Sequence, residues 1–133
     1  KEKYFVDSKV IDRINILNST FRAMHGAINK LKIKPNFILV DGNSFNQYKD
    51  IPHKCIIQGD EKYQNIAAAS ILAKTYRDEY MKKIHCKFPK YGWNKNKGYG
   101  TKFHIDMINN HGQTDFHRKT FQLKKLQLKI EYK

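Results

Sequence analysis

Two aspartates that follow short apolar segments are the residues of this sequence best suited to catalysis. Asp41 directly follows the apolar segment 36–40, and Asp60 lies just beyond the segment 54–58, with a glycine beside each aspartate. In open α/β sheets, binding sites form beyond the carboxyl ends of the strands. Carboxylates are ligands of hard cations, so the pair predicts a Mg²⁺ or Mn²⁺ site that activates water for phosphoryl hydrolysis. The alternative is that both aspartates only form turns, because Asp-Gly is a common turn dipeptide.

The number of acidic residues near this pair is small for a nuclease. A site with two metal ions needs more carboxylates than Asp41 and Asp60 supply. Glu61, Asp50 and Asp78 are the remaining candidates, although the position of Asp78 within a helical pattern favours a solvated helix face. Taken alone, the residues therefore describe an incomplete acidic site.

A second group with chemical potential is a loop in which aromatic residues alternate with lysines. Its members are Lys90, Tyr91, Trp93, Lys95, Lys97 and Tyr99. Lysines neutralise phosphates, aromatic faces stack on bases or sugars, and a phenol can hydrogen-bond a sugar hydroxyl. We expect Tyr99, which lies between Gly98 and Gly100, to contact nucleic acid. The alternative is a loop that is only anchored by aromatic packing.

Histidine and cysteine residues give weaker signals. The spacing of His104, His111 and His117 fits no common zinc motif, so we expect surface or capping histidines. Cys55 lies within an apolar segment and is predicted to be a buried structural thiol. The two cysteines form no disulfide framework or four-cysteine zinc site, which favours a reducing, cytoplasmic location.

The composition indicates one globular domain with an anionic partner. The chain has 133 residues and a net charge of +14. Residues 1–60 carry 10 basic and 6 acidic side chains, net +4, whereas residues 61–133 carry 16 and 6, net +10. Such a surplus favours a nucleic-acid partner, although a lysine-rich proteome is an alternative explanation. Since we see neither a long apolar run nor a signal peptide, we expect no membrane partner.

The elements that must position these residues alternate between strands and helices, which predicts the α/β class. Apolar runs predict strands at residues 3–6, 36–40 and 54–58. Helical periodicity or capping predicts helices over residues 10–31, 63–85 and 101–110, with a partly helical basic tail at 117–133. In this arrangement both aspartates lie where a strand ends.

Several motifs, taken in order, resemble those of type 2 ribonucleases H, the bacterial ribonuclease HII family. The matching segments are VDGN at residues 40–43, GD at 59–60, IAAASILAK at 66–74, Arg77-Asp78, KGYGT at 97–101 and His117-Arg118. The resemblance covers nearly the whole chain, and the agreement in order and spacing makes it specific.

This resemblance implies an RNase H-like fold and a metal-dependent endonuclease. The family hydrolyses the RNA strand of RNA–DNA hybrids and ribonucleotides embedded in DNA, with four carboxylates and Mg²⁺ or Mn²⁺. Asp41 matches the third carboxylate and Asp60 the fourth, and both are expected as catalytic residues and metal ligands. Tyr99 matches the tyrosine that packs on the junction ribose and helps sense its 2′-hydroxyl. Lys97 and Asn43 are expected as further substrate contacts.

The chain departs from the family pattern in one large respect. The family opens with a strand that carries an Asp-Glu pair and a Gly-Arg-Gly motif, and neither that strand nor that motif occurs here. We therefore expect residues 1–133 to be a partial domain that runs from the third strand onward. Its mixed sheet, flanked by helices, should be incomplete, with about three strands.

An incomplete sheet also affects the expected activity. We predict that the chain alone is inactive and prone to aggregate, and that it needs the missing amino-terminal segment of the same enzyme. Two rival hypotheses are a non-catalytic basic nucleic-acid-binding module and a small ribosome-associated or structural protein.

Overall fold

Helices surround a small parallel sheet in the computed structural model, which describes residues 2–121. The strands are β1 (Ile38–Asp41) and β2 (His53–Ile56). The helices are α1 (Ser8–Asn29), α2 (Gly59–Lys62), α3 (Gln64–Lys87), α4 (Trp93–Asn96) and α5 (Lys102–His111), and a 3₁₀ turn spans Pro89–Tyr91. The predicted α/β class is confirmed. The tail beyond residue 121, predicted to be partly helical, lies outside the described residues.

The sheet determines where the two predicted catalytic segments lie. β1 pairs in parallel with β2, so that Asp41 is the partner of Ile56. The backbone N–H of Gly42 donates to the Ile56 carbonyl at 2.9 Å, which extends the pairing by one residue. Because parallel strands run in the same direction, both carboxyl ends lie at one edge of the sheet.

The third predicted strand, at residues 3–6, does not form. The sheet of the described chain has two strands, and residues 3–6 lie outside regular secondary structure. A strand is stabilised by pairing with a neighbour, and the described residues provide no neighbour for this segment. The prediction from the apolar pattern was wrong because that pattern records side-chain character and not backbone pairing.

α1 contains a break that the apolar stripe does not reveal. Its first turn is capped by Asp7, whose Oδ1 accepts from the Val10 N–H at 2.8 Å. At Asn15 the backbone leaves the helical region with φ at 65°, and Asn15 Oδ1 accepts from the Asn18 N–H at 3.0 Å. The Asn15 side chain therefore acts as a second N-cap and restarts the helix.

Two apolar clusters form the core. The first lies between α1 and the sheet and contains Phe21, Ile38, Val40, Phe45 and Tyr48. The second contains Ile84, Tyr91 and Trp93. Trp93 is only 2% exposed, so the aromatic-packing alternative is correct for Tyr91 and Trp93, and only Tyr99 of the three loop aromatics is open to solvent.

The two later helices agree closely with their predicted bounds. α3 ends next to Pro89, and α5 begins after Thr101, whose side chain accepts from the His104 N–H at 3.3 Å. Gly112, with φ at 77°, ends α5. None of the helices within residues 2–121 combines the length and apolar composition needed to cross a bilayer.

Candidate active site

The side chain of Asp41 joins the ends of the two strands. Asp41 is the last residue of β1, and its Oδ1 accepts from the backbone N–H of Gly59 at 2.9 Å. Gly59 directly precedes Asp60, so this hydrogen bond brings the two predicted catalytic segments together. A Cβ added to Gly59 would lie 2.8 Å from Ile66 Cδ1 and 3.3 Å from Asp41 Oδ1. The absence of a side chain at Gly59 therefore permits the close approach.

Asp60 occupies the first turn of the short helix α2. The chain reaches this helix through Gln58, which adopts a left-handed conformation with φ at 56°. The side chains of Asp60 and Asp41 are both exposed. Their carboxylates are therefore accessible to solvent and to a cation.

The acidic pair fits a hard divalent cation in donor type but not in donor number. Carboxylate oxygens are suitable ligands for Mg²⁺ or Mn²⁺. Within residues 2–121, however, no group of three or more His, Cys, Asp or Glu residues is arranged to hold a metal ion. Among the described residues, Glu61, Asp50 and Asp78 form no such group with Asp41 and Asp60, which therefore remain two candidate ligands.

Tyr99 is held by an arginine on α3. The Tyr99 side chain is 62% exposed, and its hydroxyl accepts a hydrogen bond from Arg77 Nη1 at 3.0 Å. The Arg77 guanidinium also lies over the Tyr99 ring, 4.6 Å from its centroid, and Nη2 donates to the Lys97 carbonyl at 2.9 Å. The sequence analysis places Arg77 in a motif of the family but assigns it no role. Its contact with Tyr99 joins residues that are 22 positions apart, and the sequence does not reveal a contact over that separation.

The other two predicted substrate contacts differ in their accessibility. Lys97 adopts a left-handed conformation with φ at 51°, and its Nζ donates to the Asn94 carbonyl at 2.7 Å. The Lys97 ammonium is therefore bound to its own loop in this structure. Asn43 is exposed and lies two residues after Asp41, beyond the carboxyl end of β1.

The predicted site residues form two separate groups. Asp41, Asp60 and Asn43 belong to the carboxyl edge of the sheet, whereas Lys97 and Tyr99 are bound to Arg77. Arg77 follows the first residue of α3 by 13 positions, which corresponds to about 20 Å of helix. The cavity that Tyr99 borders has no lining contribution from Asp41 or Asp60.

The expectation of surface or capping histidines is wrong for two of the three. His104 and His117 are buried, and their rings stack with centroids 5.2 Å apart. His104 Nδ1 bonds the Tyr91 carbonyl at 2.9 Å, and the Thr114 N–H donates to His117 Nδ1 at 2.9 Å. Aromatic packing around Tyr91 explains this burial, which spacing alone does not reveal. His111 is exposed.

Burial also affects the ionisation of His117. The loss of solvent around His117 lowers its pKa below the usual value, and the neighbouring His104 lowers it further. His117 is therefore held as the neutral imidazole.

Cys55, predicted to be buried, is half-buried in β2 and packs against the first core cluster.

Comparison with known proteins identifies the same family as the sequence motifs do. A sequence model of the family described as ribonuclease HII matches residues 1–124. A protein named ribonuclease HII from Christiangramia forsetii is 60% identical over 93% of this chain and 63% of its own length. Proteins with the same name from Bacteroides thetaiotaomicron and Parabacteroides distasonis are 57% and 53% identical, over 89% and 96% of this chain.

The matched regions are shorter than the relatives themselves. This chain covers 59% of the Bacteroides thetaiotaomicron protein and 64% of the Parabacteroides distasonis protein. It therefore spans less than two thirds of the length of these relatives. The match nevertheless extends over almost all of the chain at high identity, and the chain belongs to the ribonuclease HII family.

Proposed function

We propose that this chain carries two of the catalytic carboxylates and the ribose-contacting tyrosine of a ribonuclease HII enzyme. The enzyme hydrolyses the RNA strand of RNA–DNA hybrids and ribonucleotides embedded in DNA, with Mg²⁺ or Mn²⁺. The observation that carries the proposal is the hydrogen bond from the Gly59 N–H to Asp41, which joins the segments of Asp41 and Asp60 at one sheet edge.

Asp41 and Asp60 are the residues of this chain that would hold the cation. Asp41 Oδ1 accepts one hydrogen bond from the Gly59 N–H, and the remaining lone pairs of this carboxylate would be available to the cation. A bound divalent cation supplies an activated water and stabilises the charge that develops on the phosphate. The two aspartates would bind and orient that cation.

The substrate assigned to this site is a polyanion that contains ribose. The net charge of +14 attracts the phosphate backbone, and residues 61–133, which carry +10 of it, include the Tyr99 loop. The exposed Tyr99 ring packs on a sugar, and its hydroxyl distinguishes ribose through the 2′-hydroxyl. Asn43 contacts the substrate near Asp41, and Lys97 contacts it near Tyr99. To do so, the Lys97 ammonium must first release the Asn94 carbonyl.

Further carboxylates come from the part of the family length that this chain does not cover. The surface of the described residues supports such a partner, because several apolar side chains on α3 and beside the strands are open to solvent. Ile71 and Ile57 are each 65% exposed, and Phe37 is 51% exposed. Each strand of the two-stranded sheet also has one free edge. We propose that the amino-terminal part of the family fold covers this surface and completes the acidic site.

Fragment complementation tests this function. The 133-residue chain is compared with the same chain joined to the part of the Christiangramia forsetii protein that precedes the matched residues. The substrate is a DNA duplex with one ribonucleotide, and the cation is Mn²⁺. We expect cleavage by the joined protein only, and we expect Asp41→Asn and Asp60→Asn each to abolish it. Full cleavage by the chain alone, or by the joined Asp41→Asn variant, contradicts the proposal.

The second candidate is a non-catalytic nucleic-acid-binding module. It is favoured by the shortage of carboxylates in residues 2–121 and by the strong basic charge. A Mn²⁺ titration of hybrid binding by the joined protein and by its Asp41→Asn variant separates the two functions. If neither binding nor cleavage responds to Mn²⁺ in the joined protein, the binding module is the correct function.

A further inference from the structure

Asp12 connects the first half of α1 with a segment near the other end of the described chain. Its Oδ2 accepts from the Lys119 N–H at 2.7 Å, and its Oδ1 accepts from the Thr120 N–H at 3.1 Å and from Thr120 Oγ1 at 2.7 Å. Hydrogen bonds to an ionised carboxylate are stronger than those between neutral groups. This single side chain therefore holds two consecutive residues of a distant segment.

The segment that Asp12 holds has little regular structure of its own. Residues 112–121 contain turns but no helix or strand. A second link to α1 is the Ser8 hydroxyl, which donates to the Asp115 carbonyl at 2.8 Å. The position of Lys119 and Thr120 consequently depends on contacts with α1 rather than on a backbone ladder.

Arg118, the residue directly before this anchor, faces the cavity that Tyr99 borders. The cavity has a volume of about 700 Å³ and lies between the start of α1, α3 and residues 113–121. Its basic lining residues are Lys9, Arg77, Lys97 and Arg118, and its acidic ones are Asp7 and Asp115. The Arg118 guanidinium also stacks on Phe121, 4.2 Å from the ring centroid. The residue next to the anchor is therefore a cation that lines the same cavity as Tyr99.

We propose that Asp12 is a positioning residue for nucleic-acid binding: it fixes Arg118 in the wall of this cavity, where Arg118 binds a phosphate of the duplex. This inference rests on the proposed function, because it assigns the duplex to the Tyr99 side of the molecule. Asp12 does not touch the duplex itself. Its contribution passes through the backbone of Lys119 and Thr120 to Arg118.

The salt dependence of binding by the 133-residue chain gives a direct test. In Asp12→Asn, an amide group replaces one acceptor oxygen and faces the backbone donors. This substitution also adds one positive charge, so simple electrostatics predicts tighter binding. The proposal predicts weaker binding instead, with the slope of log K against log salt reduced in magnitude by about 0.9 for one lost phosphate contact. Arg118→Gln should give the same reduction.

A double-variant cycle separates positioning from a general loss of structure. If Asp12 acts through Arg118, then Asp12→Asn should have no further effect on the slope in the Arg118→Gln background. Thr120→Val, which removes one donor to Asp12 without a charge change, should also weaken binding. Asp50→Asn is the matched carboxylate control, because it makes the same change of charge at an exposed position outside the lining of this cavity and should leave the slope unchanged.

Hydrogen exchange shows whether the anchor opens while the fold persists. In Asp12→Asn the backbone amides of Lys119 and Thr120 should lose protection, whereas those of α3 should keep it. Unchanged protection of these two amides, or an unchanged salt slope, overturns the inference. If the slopes change as expected but hybrid and DNA duplexes bind equally, the anchor is correct and the proposed substrate is wrong.

Discussion

At the scale of single residues, glycine at position 59 permits the hydrogen bond that joins the segments of Asp41 and Asp60. The Gly59 N–H reaches Asp41 Oδ1 because no Cβ separates the loop from Ile66 and Asp41. The loop that carries Asp60 and the end of β1 are therefore in direct contact. The sequence marks Gly59 as part of a Gly-Asp motif, and the structure provides the steric reason for that glycine.

Gly59→Ala should destabilise the chain by about 1–3 kcal/mol, the usual cost of overpacking. The added Cβ would lie 2.8 Å from Ile66 Cδ1, which is too close for a carbon pair. Urea unfolding measures the change. Ile66→Val removes Cδ1 and should recover part of the loss when the two substitutions are combined. An additive double variant would show that Ile66 is not the source of the clash.

Tyr99→Phe should reduce discrimination for ribose more than it reduces duplex binding. The substitution keeps the ring but removes the hydroxyl that accepts from Arg77 Nη1. Cleavage by the joined protein is measured on duplexes with and without a ribonucleotide, and affinity is measured on both. Equal losses in affinity and in discrimination would count against a specific role for the hydroxyl.

At the scale of elements, aromatic and histidine side chains fix the loop and helices around the second core cluster. Trp93, Tyr91, His104 and His117 contact one another through ring centroids 5.0 to 6.2 Å apart. The strands and helices themselves follow largely from local pattern. The burial of His104 and His117 does not, because a residue spacing carries no information on which rings meet.

The free energy of unfolding should decrease as the pH falls below about 6.5, the ordinary pKa of histidine. Burial lowers the pKa of His117 in the folded chain, so the unfolded chain binds the proton more readily. The stability that neutral His117 provides is complete above the unfolded value and is lost as pH falls through the folded pKa. Urea unfolding measured from about pH 7 to about pH 5 tests this, because this range includes the ordinary histidine pKa and extends below it.

Two histidine variants assign this pH dependence. His117→Gln should reduce it, because glutamine has no proton to gain in this range. His111→Gln, at an exposed position, should leave it unchanged. The assignment to His117 fails if both variants have the same pH dependence as the original chain.

At the scale of the whole molecule, the described residues leave apolar surface without a partner. Ile71 on α3 and Ile57 after β2 are both largely exposed, although the chain has two well-formed core clusters. Apolar surface of this kind promotes association with another surface. This feature supports the proposal that the chain functions together with the remaining part of the family fold.

Ile71→Gln should reduce self-association of the 133-residue chain and leave its helix content unchanged. The Ile71 side chain is 65% exposed, so the polar replacement removes exposed apolar surface without disturbing the core. Sedimentation velocity measures the association, and circular dichroism measures the helix content. Ile66→Gln is the contrasting control, because Ile66 is 7% exposed and its replacement should unfold the chain. Unchanged association in Ile71→Gln and Ile57→Gln would show that another surface is responsible.

The sequence by itself determined the α/β class, the approximate bounds of the long helices and the position of Asp41 at the end of a strand. These features depend on periodicity, caps and breakers that act over a few residues. The tertiary structure alone decided that Gly59 bonds Asp41, that Arg77 holds Tyr99 and that Asp12 holds Thr120. These contacts join residues 18, 22 and 108 positions apart, and packing of the whole chain creates them.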